Sequence, residues 1–193
     1  MKFLLVFLVF FSIETFSHPV IWKGGTEFIM VSQENKYDFS ALYSFNRSMA
    51  AGVRLIEDYN QSTVYAQLNN RFLRFNRYKE QENVYGLLGL GVKNNASLLY
   101  LGLQWDWETQ QNFSMVTIDH YSDEGLEARF RFGIAPYVGG FDVIHTWFML
   151  EYRYNSDVDQ KNTVIPIVRF FQSSYLLEFG AGEDYFITLM IHL

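Results

Sequence analysis

The stretch EDYFITLMIHL, residues 183–193, decides the fold. Its residues alternate between two sets up to the last one: Tyr185, Ile187, Leu189, Ile191 and Leu193 against Phe186, Thr188, Met190 and His192. Such a period of two is typical of a β-strand with two different faces. An apolar strand at the edge of an open sheet templates aggregation, whereas a closed barrel has no edge. We therefore expect a closed barrel whose last strand pairs with its first.

The same alternation recurs along the chain. It is clearest in SLLYLGLQWDWE, residues 97–108, where leucines and tryptophans oppose tyrosine, glutamine and acidic residues. It is also clear in 36–46, 125–138 and 141–155, and weaker strands are predicted at about 26–32, 49–57, 62–75, 83–93, 112–121, 163–171 and 175–181. Pro166 suggests a bulge or an edge-like irregularity in its strand. Short polar connections favour an all-β, antiparallel up-and-down barrel of about 12 strands, or 10 if two weak strands fail.

The composition indicates that this barrel spans a membrane. Apolar residues make up 49% of the chain and aromatic residues 19%. Beyond the first residues, however, no stretch approaches the roughly 18 apolar residues of a spanning helix. Apolar residues spread over short alternating segments are typical of a transmembrane β-barrel. The competing interpretation is a soluble periplasmic barrel or sandwich that turns the same residues inward.

The first 17 residues, MKFLLVFLVFFSIETFS, have the layout of a secretory signal peptide cleaved after Ser17. Its run of about nine apolar residues is too short to cross a bilayer as a helix. We therefore expect a signal peptide at 1–17 and a barrel at 18–193. The absence of cysteine excludes disulfides and thiolate metal sites or catalysis. The net charge of -6 does not suggest nucleic-acid binding, which usually needs a basic patch.

These features resemble bacterial outer-membrane β-barrel proteins: a cleavable signal, short amphipathic strands and the final YFITLMIHL. The resemblance implies a monomer in the outer membrane of a Gram-negative cell, in contact with its lipid. It also implies that the barrel assembly machinery recognises the last strand. Such strands most often end in Phe, whereas this one ends in Leu193.

Polar residues on the predicted inner face are the candidates for function. We expect eight of them to line the lumen: Arg54, Gln104, Glu127, Arg129, Arg131, His145, Glu151 and Arg153. Those of the neighbouring 125–138 and 141–155 strands are expected to lie close together. They form either a charged constriction or pocket that selects solutes, or a self-neutralising ionic network that fills a narrow barrel, because buried charges must be paired.

A narrow channel for small polar solutes is the favoured function. Twelve strands enclose a wider lumen than the eight whose side chains fill the interior, and the short loops offer no obvious plug. The alternatives are a non-conducting structural or metal-binding barrel and, third, a lumenal or rim hydrolase. The sequence favours no enzyme, since the motif G-x-S-x-G is absent and no catalytic residue is assigned. His120 and Asp119 are adjacent, and adjacent strand residues point to opposite faces.

The sequence requires no cofactor, but it suggests one metal site. Cleavage after Ser17 would make His18 the first residue, whose amine and imidazole could chelate a transition metal, with copper favoured on affinity. His192 lies one residue from the last and would sit at the same rim, because the last strand pairs with the first. The alternative is a disordered terminus and an ordinary rim histidine.

Overall fold

The computed structural model describes residues 18–59, 61–139, 142–157, 162–182 and 185–193. The predicted signal peptide at 1–17 lies outside the described residues. The described part of the chain contains no helix long and apolar enough to cross a membrane.

Twelve β-strands account for most of the described residues. They are β1 (Thr26–Gln33), β2 (Lys36–Tyr43), β3 (Met49–Asp58), β4 (Gln61–Arg77), β5 (Glu80–Lys93), β6 (Ala96–Thr109), β7 (Asn112–Tyr121), β8 (Gly125–Ile134), β9 (His145–Asn155), β10 (Asn162–Gln172), β11 (Tyr175–Gly180) and β12 (Phe186–His192). This confirms the expected count of twelve, including the weakly alternating first strand.

The strands form a closed, antiparallel up-and-down barrel. β1 pairs with β12 from Glu27 opposite His192 to Gln33 opposite Phe186, so the final stretch closes the ring. Thr26 N also donates to the carbonyl oxygen of Leu193 at 2.8 Å. We call the end where β1 begins and β12 finishes the terminal end, and the opposite end the far end.

The outer surface of the barrel is apolar and the inner surface is largely polar. On β6, Leu99, Leu101 and Leu103 are exposed on the outside, whereas Tyr100 and Asp106 are buried inside. β9 repeats the pattern, with exposed Phe148, Leu150 and Tyr152 opposed to buried Trp147 and Glu151. An apolar exterior around the whole ring is what a barrel presents to lipid, and it argues against the soluble alternative.

Of the two irregularities expected at Pro166, the bulge is absent, whereas an edge-like position is found. Pro166 lies opposite Leu150 without a shift in register, and its carbonyl oxygen accepts from Ala181 N at 3.0 Å. Its ring nitrogen therefore faces the β11 side, where β11 has already ended at Gly180, so no ladder hydrogen bond is lost. The shift in register lies instead between Arg71 and Leu73, where β4 carries one more residue than β5.

Apolar side chains fill part of the lumen. One cluster joins Phe113 of β7, Trp147 of β9, Ile165 of β10 and Phe186 of β12. This explains why 163–171 alternates poorly: Ile165 and Ile167 face inward, on the same side as Arg169, while the outer residues are also apolar.

Candidate functional site

A polar cavity of about 630 Å³ opens at the far end of the barrel. We call it the far-end cavity. Its described lining includes six cationic side chains, Lys36, Arg54, Lys93, Arg129, Arg131 and Arg153, and seven anionic ones, Glu34, Asp38, Asp58, Asp123, Glu124, Glu127 and Asp157. This lining makes the cavity a site for polar rather than apolar molecules.

The floor of the far-end cavity is an ionic network that joins β8, β9, β10 and β11. Arg131 Nη2 donates to Glu151 at 2.6 Å, and its Nη1 donates to Glu178 at 3.0 Å. Arg153 Nη2 donates to the second oxygen of Glu151 at 2.7 Å, and Arg169 Nε donates to Glu178 at 2.6 Å. Each of these arginines has a carboxylate partner, as burial of a charge demands.

Arg129 extends this network toward β7. Its Nη2 donates to Asp119 at 2.7 Å, and its Nε lies 3.1 Å from Glu127. Asp119 also accepts a hydrogen bond from the hydroxyl of Tyr100 at 2.8 Å. The lumen wall is therefore tied together across neighbouring strands by charge-assisted bonds.

Arg54 reaches from β3 into the centre of the lumen. Two of its nitrogens donate to Asp38, the shorter bond being 2.6 Å from Nη2. Its guanidinium also lies 5.2 Å from the ring centroid of Tyr100 on β6 and 5.7 Å from that of Tyr121 on β7. Because β3 and β7 are four strands apart in the ring, this side chain constricts the lumen at that level.

The turn between β7 and β8 spans the mouth of the far-end cavity. Glu124 lies 3.3 Å from Lys36 at the start of β2, which is on the opposite side of the ring. Lys93 at the end of β5 contacts both Asp123, at 3.1 Å, and Glu124, at 3.6 Å. These ion pairs are partly exposed to solvent and are therefore weak, and the cavity lies beneath them.

The structure brings together five of the eight expected lumen residues at the far-end cavity: Arg54, Glu127, Arg129, Arg131 and Arg153. Glu151 lies directly behind them as their buried partner. Gln104 faces inward at a deeper level and donates to Asp106 at 3.2 Å. His145 lies at the terminal end, where its Nε2 donates to the carbonyl oxygen of Tyr137 at 2.9 Å. His145 is far from the cavity because it begins β9 at the terminal end, whereas Arg153 lies near the other end of the same strand.

A plug that the loop lengths did not suggest covers the terminal end. Residues 18–25, which we call the N-terminal segment, fold into the lumen before β1 begins. Val20 is buried against Leu42, Ala50 and Tyr85. The loops themselves are short, as expected, and the obstruction comes from the N-terminal segment.

His18 lies in a pocket formed by β5 and β6. Its Nδ1 is 3.5 Å from Asp106, and its Nε2 is 3.5 Å from Glu108 and 2.8 Å from the amide nitrogen of Gln81. Its ring stacks on Tyr85 with centroids 6.0 Å apart. Burial opposes the charge of the imidazole, but the two carboxylates outweigh this and raise the pKa of His18 to about 9.

His192 has a different partner on the opposite wall. Its Nε2 donates to Glu27 on β1 at 3.0 Å, and its ring meets the edge of Trp22. Among the described residues, no group of three or more His, Asp or Glu side chains is arranged to hold a metal ion. Copper binding by His18 and His192 stays a prediction, and this arrangement gives it no support.

Some residues of the site escaped the sequence reasoning. Asp38, Asp106 and Glu108 are examples: Asp38 pairs with Arg54 on the neighbouring strand, and Asp106 and Glu108 contact His18 of the N-terminal segment, so sequence spacing does not identify these partners. Arg169 and Glu178 pair with each other, but both faces of their strands are partly apolar, so alternation does not mark them as functional residues. Asp119 and His120 are on opposite faces as expected, with Asp119 buried and His120 exposed.

Comparison with known proteins gives a relationship in fold alone. No family model matches the chain, and no curated protein matches it. Among solved structures, it is similar to the KdgM porin, with a TM-score of 0.58 and 9% identity over 87% of this chain and 97% of that one. It is similarly close to the KdgM porin in complex with disordered oligogalacturonate, with a TM-score of 0.59 and 10% identity over the same shares. In fold, this chain resembles outer-membrane β-barrel proteins.

Proposed function

We propose that this protein is a narrow channel of the outer membrane for small polar solutes. The observation that carries the proposal is the charged far-end cavity inside a closed barrel whose outer surface is apolar. Barrels of this kind place both chain ends on the periplasmic side, so the far end faces the exterior and the terminal end faces the periplasm. Solutes then enter at the far-end cavity. The protein is exported with its signal peptide removed, inserted by the barrel assembly machinery and monomeric in the lipid.

The charges of the far-end cavity favour cationic or neutral solutes. The complex of the KdgM porin contains an oligogalacturonate, which is a chain of carboxylated sugars. Here each arginine of the cavity wall has a carboxylate partner, and anionic side chains of the described lining outnumber cationic ones by seven to six. Such a wall offers no excess positive charge to a polyanion.

A non-conducting barrel is the second candidate, and two observations favour it. The apolar cluster of Phe113, Trp147, Ile165 and Phe186 joins strands across the lumen below the far-end cavity. The N-terminal segment then covers the terminal end. In that case the far-end cavity would serve as a binding site only.

Conductance of the purified protein in a planar bilayer separates the two candidates. We expect small, resolved steps in potassium chloride, rising when the N-terminal segment is displaced. A Val20→Asp variant provides that displacement, because it places a carboxylate against Leu42, Ala50 and Tyr85. Silence of both proteins, with the barrel shown to be folded by heat-modifiable gel migration, would leave only the non-conducting barrel.

A further inference from the structure

The N-terminal segment crosses the whole lumen at the terminal end. Its first described residue, His18, contacts the β5–β6 wall, whereas Trp22 contacts His192 on β12. β6 and β12 are six strands apart in a ring of twelve, so the two contacts lie on opposite walls.

The segment is fastened along its length. Asn69 donates to the carbonyl oxygen of Pro19 at 2.9 Å, and Ile21 N donates to Ser44 Oγ at 3.1 Å. The apolar contacts of Val20 lie between these two bonds. The segment is therefore a built element of the lumen.

The pocket of His18 is strongly acidic and well buried. Asp106 is 1% and Glu108 2% exposed, and both project inward from β6. Asp106 accepts hydrogen bonds from the side-chain amides of Asn83, at 2.7 Å, and Gln104, at 3.2 Å. Glu108 accepts one bond from Gln81 at 3.2 Å, while its Oε2 is buried with no hydrogen-bond partner among the described residues. Two buried carboxylates on one face need a cation between them.

The other cations near the pocket, Arg71, Arg74 and Arg169, each donate to another group: Arg71 to the carbonyl oxygen of Arg47 and Arg169 to Glu178. Arg74 of β4 donates to Gln81, whose amide nitrogen turns toward His18 and Glu108. Tyr85 of β5 contributes a ring face. The imidazole of His18 therefore contributes the positive charge that lies between the two carboxylates, at 3.5 Å from each.

We propose that Asp106, Glu108, Gln81 and Tyr85 form a binding site for small organic cations, which His18 occupies until the cationic group of a solute displaces it. The ring face of Tyr85 favours a flat cation such as an imidazolium. The proposal rests on the proposed channel and names its class of solute: displacing His18 frees the N-terminal segment and opens the terminal end.

Binding of 4-methylimidazolium, the side chain of histidine in free form, tests the site directly. The quantity to measure is its dissociation constant at pH 6, by ligand-detected NMR for the folded protein in detergent micelles. A tethered occupant competes at an effective concentration in the millimolar range. We therefore expect His18→Ala to bind the probe at least about tenfold more tightly than the unaltered protein.

Three further variants make the test specific. Val20→Asp keeps the His18 side chain in the sequence but expels the whole segment from the lumen, so it should bind the probe as tightly as His18→Ala. Adding Asp106→Asn or Glu108→Gln to His18→Ala should weaken binding by at least about tenfold. Glu27→Gln is the matched control, because Glu27 is an equally buried carboxylate beside an imidazole, that of His192, on the opposite wall. Added to His18→Ala, it should leave binding unchanged.

Equal affinity in the unaltered protein, His18→Ala and Val20→Asp would overturn the proposal, as would tight binding that survives Asp106→Asn and Glu108→Gln. Bilayer conductance of the same variants keeps the two proposals distinguishable. Binding without conductance would reject the channel and retain the site, whereas conductance without binding would reject the site and retain the channel.

Discussion

At the scale of single residues, Glu151 holds the charged floor of the far-end cavity together. It is fully buried and accepts from both Arg131 and Arg153. We expect Glu151→Ala to lower the free energy of unfolding by about 3–5 kcal/mol, because two guanidiniums lose their shared partner. Urea unfolding in detergent micelles measures this.

The matched control for Glu151 is an exposed ion pair. Arg77 is paired with Glu80 at 3.1 Å near the tip of the β4–β5 hairpin, and its side chain is 66% exposed. Arg77→Ala should cost less than about 1 kcal/mol. Equal losses of unfolding free energy for the two substitutions would show that the buried network stabilises the fold no more than a surface ion pair does.

His18 makes the attachment of the N-terminal segment depend on pH. Its pKa is raised from 6.5 to about 9 because Asp106 and Glu108 outweigh the opposing effect of burial. A raised pKa stabilises the attached state fully below about pH 6.5, and this stabilisation is lost as the pH rises through 9. We expect the fluorescence of Trp22 to report release of the segment between pH 7 and 10. Besides the two carboxylates, the titratable side chain in contact with the imidazole is that of Tyr85.

His18→Gln supplies the comparison for this titration. It keeps a polar side chain of similar length but cannot take up a proton, so the transition near pH 9 should disappear. A transition that persists unchanged would assign the release to another group.

At the scale of elements, the pairing of β2 with β3 depends on a glycine. Gly52 lies opposite Leu42, and a Cβ at this position would collide with the backbone carbonyl of Ala41 on β2. A backbone carbonyl cannot rotate out of the way as a side chain can, so Gly52→Ala must push the two strands apart. We expect a loss of about 1–3 kcal/mol in unfolding free energy, which is the usual cost of overpacking.

Gly182→Ala is the corresponding control, because its nearest neighbouring atoms would lie at an ordinary 3.4 Å. Its urea midpoint should match that of the unaltered protein. Similar destabilisation by both alanines would point to a general cost of replacing glycine in this barrel.

At the scale of the whole molecule, the balance of charge in the far-end cavity predicts ionic preference. Rings of acidic side chains favour cations in pores, and the described lining carries seven anionic against six cationic groups. We expect the current in a potassium chloride gradient to reverse at a potential that reports potassium over chloride. Asp123→Asn combined with Glu124→Gln, at the mouth, should shift that potential toward chloride, since Lys36 and Lys93 then lose their partners.

An anion preference in the unaltered protein would contradict the predicted cation preference, but it would not bear on the barrel fold. Lys36→Gln is the opposite change at the same mouth and should move the reversal potential in the other direction.

The sequence by itself determined the barrel and the faces of most strands, and it favoured twelve strands over ten. Alternation with period two is local, so Leu99 to Leu103 and Phe148 to Tyr152 could be assigned to the outside from neighbouring residues alone. The same parity placed Arg54, Arg129, Arg131 and Arg153 inside the lumen.

Only the tertiary structure decided what these inward residues contact. Lys36 meets Glu124 and His18 meets Asp106 across 88 residues of chain each, and closure of the ring alone brings such partners together. The N-terminal segment could not be predicted for the same reason. Residues 18–25 carry no periodic pattern, and they are held by the walls that twelve strands jointly form.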